Sequence, residues 1–111
     1  MLSDGTIIAL STPQGSGALG VIRLSGPLAF EKTQLFFTPK GSKKWEDFQA
    51  NQIYLGAFKN DNILVDEVLV SFFKGPHSYT GEDVIELSCH GSPYILQRII
   101  SSYFEEGILP A

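Results

Sequence analysis

The stretch YTGEDVIELSCHGSP, residues 79–93, holds three carboxylates (Glu82, Asp83, Glu86), the chain's only cysteine (Cys89) and one of its two histidines (His90). Three chemistries are open to such a set. A thiol beside an imidazole suggests nucleophilic catalysis, but neighbours at a strand end point to opposite faces and do not easily share a hydrogen bond. The second histidine, His77, lies in the preceding loop and has no fixed place from sequence. A metal site needs three or four ligands at workable spacing, and neither CxxC nor HxxxH occurs. A small buried cysteine beside a partly exposed histidine is the plainer reading.

Glu86 is different. In DVIELS, residues 83–88, a period of two puts Val84, Glu86 and Ser88 on one face and Asp83, Ile85 and Leu87 on the other. Glu86 then sits mid-strand, just before a helix start. It is either an edge-exposed carboxylate or a pocket carboxylate whose two oxygens take paired N–H donors, such as an aminopyrimidine or pterin edge. Arg23 is the one charged residue in the run LGVIRL. It suits a ligand's anionic or carbonyl end, or else a salt bridge with Glu82, Asp83 or Glu86. Residues 15–20, GSGALG, match GxGxxG, but the last glycine falls inside that run rather than at a helix start, which excludes a dinucleotide loop. No GxxxxGK[ST] occurs, so this chain alone has no P-loop chemistry.

The elements that must position these residues follow from local patterns. TIIAL (6–10) and LGVIRL (19–24) read as strands. Ser25-Gly26-Pro27 opens a short helix, LAFEKTQLFF, that stops by Pro39. Residues 38–52 form a polar connection carrying Trp45 and Phe48. IYLGAFK (53–59) and VDEVLVSFF (65–73) are strands joined through Asn60-Asp61-Asn62 as a hairpin. Ser92 caps a last helix with Pro93 in its first turn, and Gly107 stops it. Its apolar stripe is Ile95, Leu96, Ile99, Ile100, Tyr103 and Phe104. The order β-β-α-β-β-β-α predicts an α+β fold: a single domain with about five strands in a mixed or antiparallel sheet and two main helices packed on it.

The totals agree. One domain fits 111 residues, and 43% hydrophobic content fits a packed core. A net charge of −4 argues against a surface that grips a phosphate backbone by itself. Lys40, Lys43 and Lys44 cluster only as a solvated loop. One cysteine rules out an internal disulfide framework and fits a reducing compartment. No apolar run approaches a membrane span and the first residues resemble no signal, so the expectation is a cytoplasmic protein without membrane contact.

Taken together, DGTIIA with STP (4–13), GALGVIRLSG (17–26) and SYTGEDVIELSCHG (78–91) resemble the N-terminal domain of the bacterial tRNA modification GTPase family, MnmE/TrmE. The resemblance implies a domain that binds a formyl-tetrahydrofolate as one-carbon donor, drives homodimerisation and is similar to the folate-binding domains of aminomethyltransferases. On the family pattern Arg23 and Glu86 match folate-contacting positions, with Glu86 holding the pterin. No catalytic residue is expected in this chain. The family acts on the wobble uridine of tRNA with an FAD-dependent partner of the MnmG/GidA type. GTP, magnesium and potassium are implied for a GTPase domain absent here. Family members continue through a PGEF…NGK stretch, which carries a further folate-contacting lysine, to a helical domain with a GTPase insert and a C-terminal cysteine. The chain therefore reads as residues 1–111 of a longer protein, a truncated folate-binding and dimerisation domain. The alternatives are a scaffolding module with a vestigial site, in which Phe36 and Phe37 would join an interface, or an aminomethyltransferase-like domain.

Overall fold

A computed structural model describes residues 5–11, 19–76 and 81–111. The alternating segments become strands of one sheet: β1 (Ile7–Leu10), β2 (Leu19–Ser25), β3 (Phe37–Pro39), β4 (Ile53–Asn60), β5 (Ile63–Phe73), β6 (Val84–His90) and β7 (Leu109–Pro110). Two helices, α1 (Ala29–Gln34) and α2 (Pro93–Glu105), and a 3-10 turn at Trp45–Asp47 complete the described elements. The sheet order is β3-β4-β5-β6-β2-β1-β7. Every pairing is antiparallel except the parallel pair β1–β7. The expected α+β class holds, with a mostly antiparallel mixed sheet of seven strands rather than about five, and one main helix rather than two.

One sheet face carries the core. Ile22 and Leu24 of β2, Val68, Val70 and Phe72 of β5, and Ile85, Leu87 and Cys89 of β6 are all buried. Leu96, Ile99 and Tyr103 of α2 pack against them. Tyr103 is fully buried and its hydroxyl lies 2.9 Å from Thr33 Oγ1, which itself donates to the Ala29 carbonyl at 2.8 Å. Thr33 has one proton to give, so Tyr103 is the donor between them. This pair ties α2 to α1.

Several boundaries differ from expectation. The first helix ends at Gln34, because Phe37 leaves it to open β3, opposite Phe58 of β4. Ser25 still belongs to β2, and Gly26, at φ +138, turns the chain so that the helix starts two residues after Pro27. Residues 38–52 are more than a polar connection: Trp45 is buried against Phe30 and stands beside Phe48, which stacks on Tyr54 at 3.9 Å. Phe36 and Phe37 are buried at 8% and 4% exposure and do not form an outward pair. Phe104 leaves the buried stripe of α2 and is 44% exposed. The hairpin turn, with Asp61 and Asn62 at positive φ, the Ser92 cap accepting from Ile95 N–H, and the Gly107 stop at φ +84 stand as expected. Lys40, Lys43 and Lys44 are exposed.

Candidate functional site on the open sheet face

The helices cover one face of the sheet, so the alternate residues of each strand face outward. In β2 these are Leu19, Val21 and Arg23, and in β6 they are Glu86, Ser88 and His90. The register aligns them across strands. Arg23 stands opposite Glu86, Glu86 opposite Ser71, Ser71 opposite Ile53, and Arg23 opposite Ala9. Glu86 is therefore mid-sheet, because β6 is hydrogen-bonded on both sides; the edge-exposed alternative is set aside.

Two of Arg23's nitrogens, Nε at 2.8 Å and Nη2, donate to the same carboxylate oxygen, Glu86 Oε2. The two side chains are 39% and 20% exposed. Of the partners weighed for Arg23, Glu86 is one that it meets. Glu82 instead accepts from the Ser25 hydroxyl at 3.4 Å. Asp83 accepts the Gly75 N–H, while its carbonyl takes the Gly26 N–H. Those contacts fix the entry to β6. Glu86 Oε1 has no hydrogen-bond partner among the described residues. A carboxylate clamped through one oxygen offers the other, in a fixed direction, to an N–H donor. Around the pair the face carries the hydroxyls of Ser71 and Ser88 and the apolar Ile53, Leu55 and Leu69, exposed at 67%, 39% and 41%. A hollow of about 200 Å³ lies further along this face, toward the Leu19–His90 end, lined by Leu19, Leu55, Leu69, Ser88 and His90 and not by Arg23 or Glu86. A larger apolar groove of about 380 Å³ sits against the flank of α2 at Leu10, Leu96 and Phe104, away from both predicted residues.

Cys89 and His90 part company as expected. Cys89 is 2% exposed and its thiol donates to the Gly20 carbonyl at 3.4 Å. Burial, with the Asp66 charge adding to it, pushes the thiol from 9.0 up to about 11. It stays a thiol at neutral pH and is a poor nucleophile. His90 points outward and meets Asp66, a residue the sequence reading passed over. Asp66 accepts the His90 N–H at 2.9 Å and lies 2.7 Å from His90 Nδ1. The side chain of Asp66 is 6% exposed and that of His90 68%. The signal was available: Asp66 is the one carboxylate among Val68, Val70 and Phe72 at core-facing positions of β5. Its contacts close the end of the β5–β6 ladder where the chain turns into α2.

Gly20 is buried in β2, where an added Cβ would lie 2.7 Å from Leu96 Cδ2, so the GxGxxG ending is a strand residue packed under α2. Residues 15–18 of that motif, His77, and Ser78, Tyr79 and Thr80 of the SYTGEDVIELSCHG stretch lie outside the described residues.

Comparison with known proteins decides the family. The model of the GTP-binding protein TrmE N-terminus matches residues 6–111. The chain belongs to the TrmE N-terminal family. The tRNA modification GTPase MnmE of Christiangramia forsetii is 47% identical over 100 residues, which is 90% of this chain and 21% of that protein. The MnmE proteins of Flavobacterium johnsoniae and Carboxydothermus hydrogenoformans are 45% and 38% identical, each over 96% of this chain and 23% and 24% of their own lengths. The chain thus spans about a quarter or less of the relatives it matches. The TrmE match takes in all seven strands, with Arg23 and Glu86 inside it.

Proposed function

We propose that this chain is the folate-binding and dimerisation domain of a tRNA-modifying GTPase. Membership of the TrmE N-terminal family supports the setting. The observation that carries the site is the Arg23–Glu86 pair, mid-sheet on the open face, with Glu86 Oε1 left to a ligand. Glu86 would take the N–H edge of the pterin of a formyl-tetrahydrofolate. Arg23 would hold the carboxylate in place and present the cationic side of the pair to the ligand's carbonyl or anionic end. The folate supplies a one-carbon unit when bound; the chain's own residues bind and orient it.

In the longer protein, GTP hydrolysis with magnesium and potassium belongs to residues outside this chain. The longer protein would modify the wobble uridine of tRNA in the cytoplasm, together with an FAD-dependent partner. The exposed apolar side chains Ile53, Leu55 and Leu69 favour association with a second copy. Titration calorimetry of a formyl-tetrahydrofolate onto the protein tests the site, and sedimentation tests the dimer. Glu86→Ala is expected to weaken binding at least tenfold, the scale of a lost hydrogen bond to a charged group. Unchanged affinity in that variant removes the site, and a strict monomer across micromolar concentrations removes the dimer.

A further inference from the structure

Glu86 supplies acceptors only. A carboxylate takes N–H donors and offers none, and Arg23 directs Nε and Nη2 to Glu86 Oε2. A heterocycle whose edge sets N–H donors beside a ring carbonyl needs a protein donor next to the carboxylate as well. Next to Glu86 the open face sets the hydroxyls of Ser71 and Ser88, and neither has a hydrogen-bond partner among the described residues.

Their positions differ. Ser71 stands directly opposite Glu86 across β5–β6, on the side away from Arg23. Directly opposed residues hold their Cβ atoms about 5 Å apart. That spacing suits neighbouring polar atoms on one heterocycle edge. Ser88 is two residues along β6, about 6.5 Å away, and faces Leu69 and Val21 across its two ladders. Both β5 and β6 are paired on each side, so the Ser71–Glu86 spacing is set by the sheet. A flat ligand lying over Glu86 would also cover Ser71. A hydroxyl covered without a partner is costly, and a ring carbonyl at that point satisfies it.

We infer that Ser71 is a second ligand-contacting residue, whose hydroxyl donates to the ring carbonyl of the heterocycle that Glu86 holds by its N–H edge. This rests on the folate reading above. The test is calorimetric titration of a formyl-tetrahydrofolate, and of a pterin analogue lacking the ring carbonyl, onto the full-length protein and its Ser71→Ala, Ser88→Ala and Glu86→Ala variants. Ser71→Ala is expected to bind the folate about tenfold more weakly, the loss of one hydrogen bond. It should bind the analogue as the parent does and melt at the parent temperature, because the hydroxyl bonds nothing among the described residues. Ser88→Ala should stay within about twofold of the parent. Parent-like folate binding in Ser71→Ala, an equal loss in Ser88→Ala, or an equal loss for the analogue overturns the assignment. If Glu86→Ala also binds as the parent does, the folate reading falls with it; if Glu86→Ala alone is weakened, only the role of Ser71 falls.

Discussion

Thr33 and Tyr103 show how direction matters in a buried hydrogen bond. Thr33 gives its proton to the Ala29 carbonyl and accepts that of Tyr103. Tyr103→Phe removes a donor and leaves only a spare lone pair on Thr33, at a cost of about 1 kcal/mol. Thr33→Val keeps the shape but strands the buried phenol proton, which costs about 2–3 kcal/mol. Urea denaturation of the two variants should rank Thr33→Val as the less stable; the reverse order would mean that the donor assignment is wrong. At this scale the sequence was informative about types and left partners open, Glu86 being one of three weighed for Arg23. Glu86 announced itself by breaking an apolar alternation mid-strand, and Arg23 by being alone in LGVIRL. Their meeting depends on β2 pairing with β6 across 63 residues, which no local pattern encodes. Asp66 also stood out, as a carboxylate among core-facing apolar residues of β5, but its partner His90, 24 residues away, is not encoded locally.

Elements with strong local signals were legible. The hairpin of β4 and β5 has its Asn-Asp-Asn turn, and α2 has both its Ser92-Pro93 start and its Gly107 stop. The elements missed, β3 and β7, are three and two residues long and exist only through their neighbours β4 and β1. The first helix was drawn too long because Phe36 and Phe37 continue an apolar pattern that tertiary pairing overrides. Its start was drawn at Pro27-Leu28 and falls at Ala29, while the role of Gly26 before it is steric. An added Cβ there would lie 2.5 Å from the Thr6 Cα, and Gly26 sits at φ +138. Thr6 is itself fully buried and accepts the Leu28 N–H at 2.9 Å, so it has nowhere to retreat. Gly41 shares a positive φ, +81, but has nothing within 4 Å of the added atom. Gly26→Ala should therefore cost about 3 kcal/mol, from backbone strain and overpacking together. Gly41→Ala should cost about 1 kcal/mol, from strain alone. Thermal melts that show equal losses would discount the Thr6 contact.

The whole molecule responds to alkaline pH through its core. Cys89 holds its proton up to about 11 in the fold and releases it from 9.0 when unfolded. Between those values the unfolded chain binds fewer protons than the native one, so stability falls as pH rises. The full loss from this group is about 2–3 kcal/mol. Burial also pushes the Tyr103 phenol up from 10.0, which acts in the same direction at higher pH. Denaturation midpoints measured from pH 8 to 11 should decline, and Cys89→Ala should flatten the part between about 9 and 10. A variant with the parent's slope would show that the thiol does not contribute.

The sheet buries one face and leaves the other open, and every strand therefore carries two interleaved sets of residues. Ile22, Leu24, Ile85, Leu87, Val70 and Phe72 hold the fold, while Arg23, Glu86 and Ser71, lying between them, do not share that work. Selection can rewrite the outward set one residue at a time without disturbing the inward one. The domain is thus a platform whose binding preference and stability are free to drift apart, and a recognition surface can be redesigned on it without rebuilding the core.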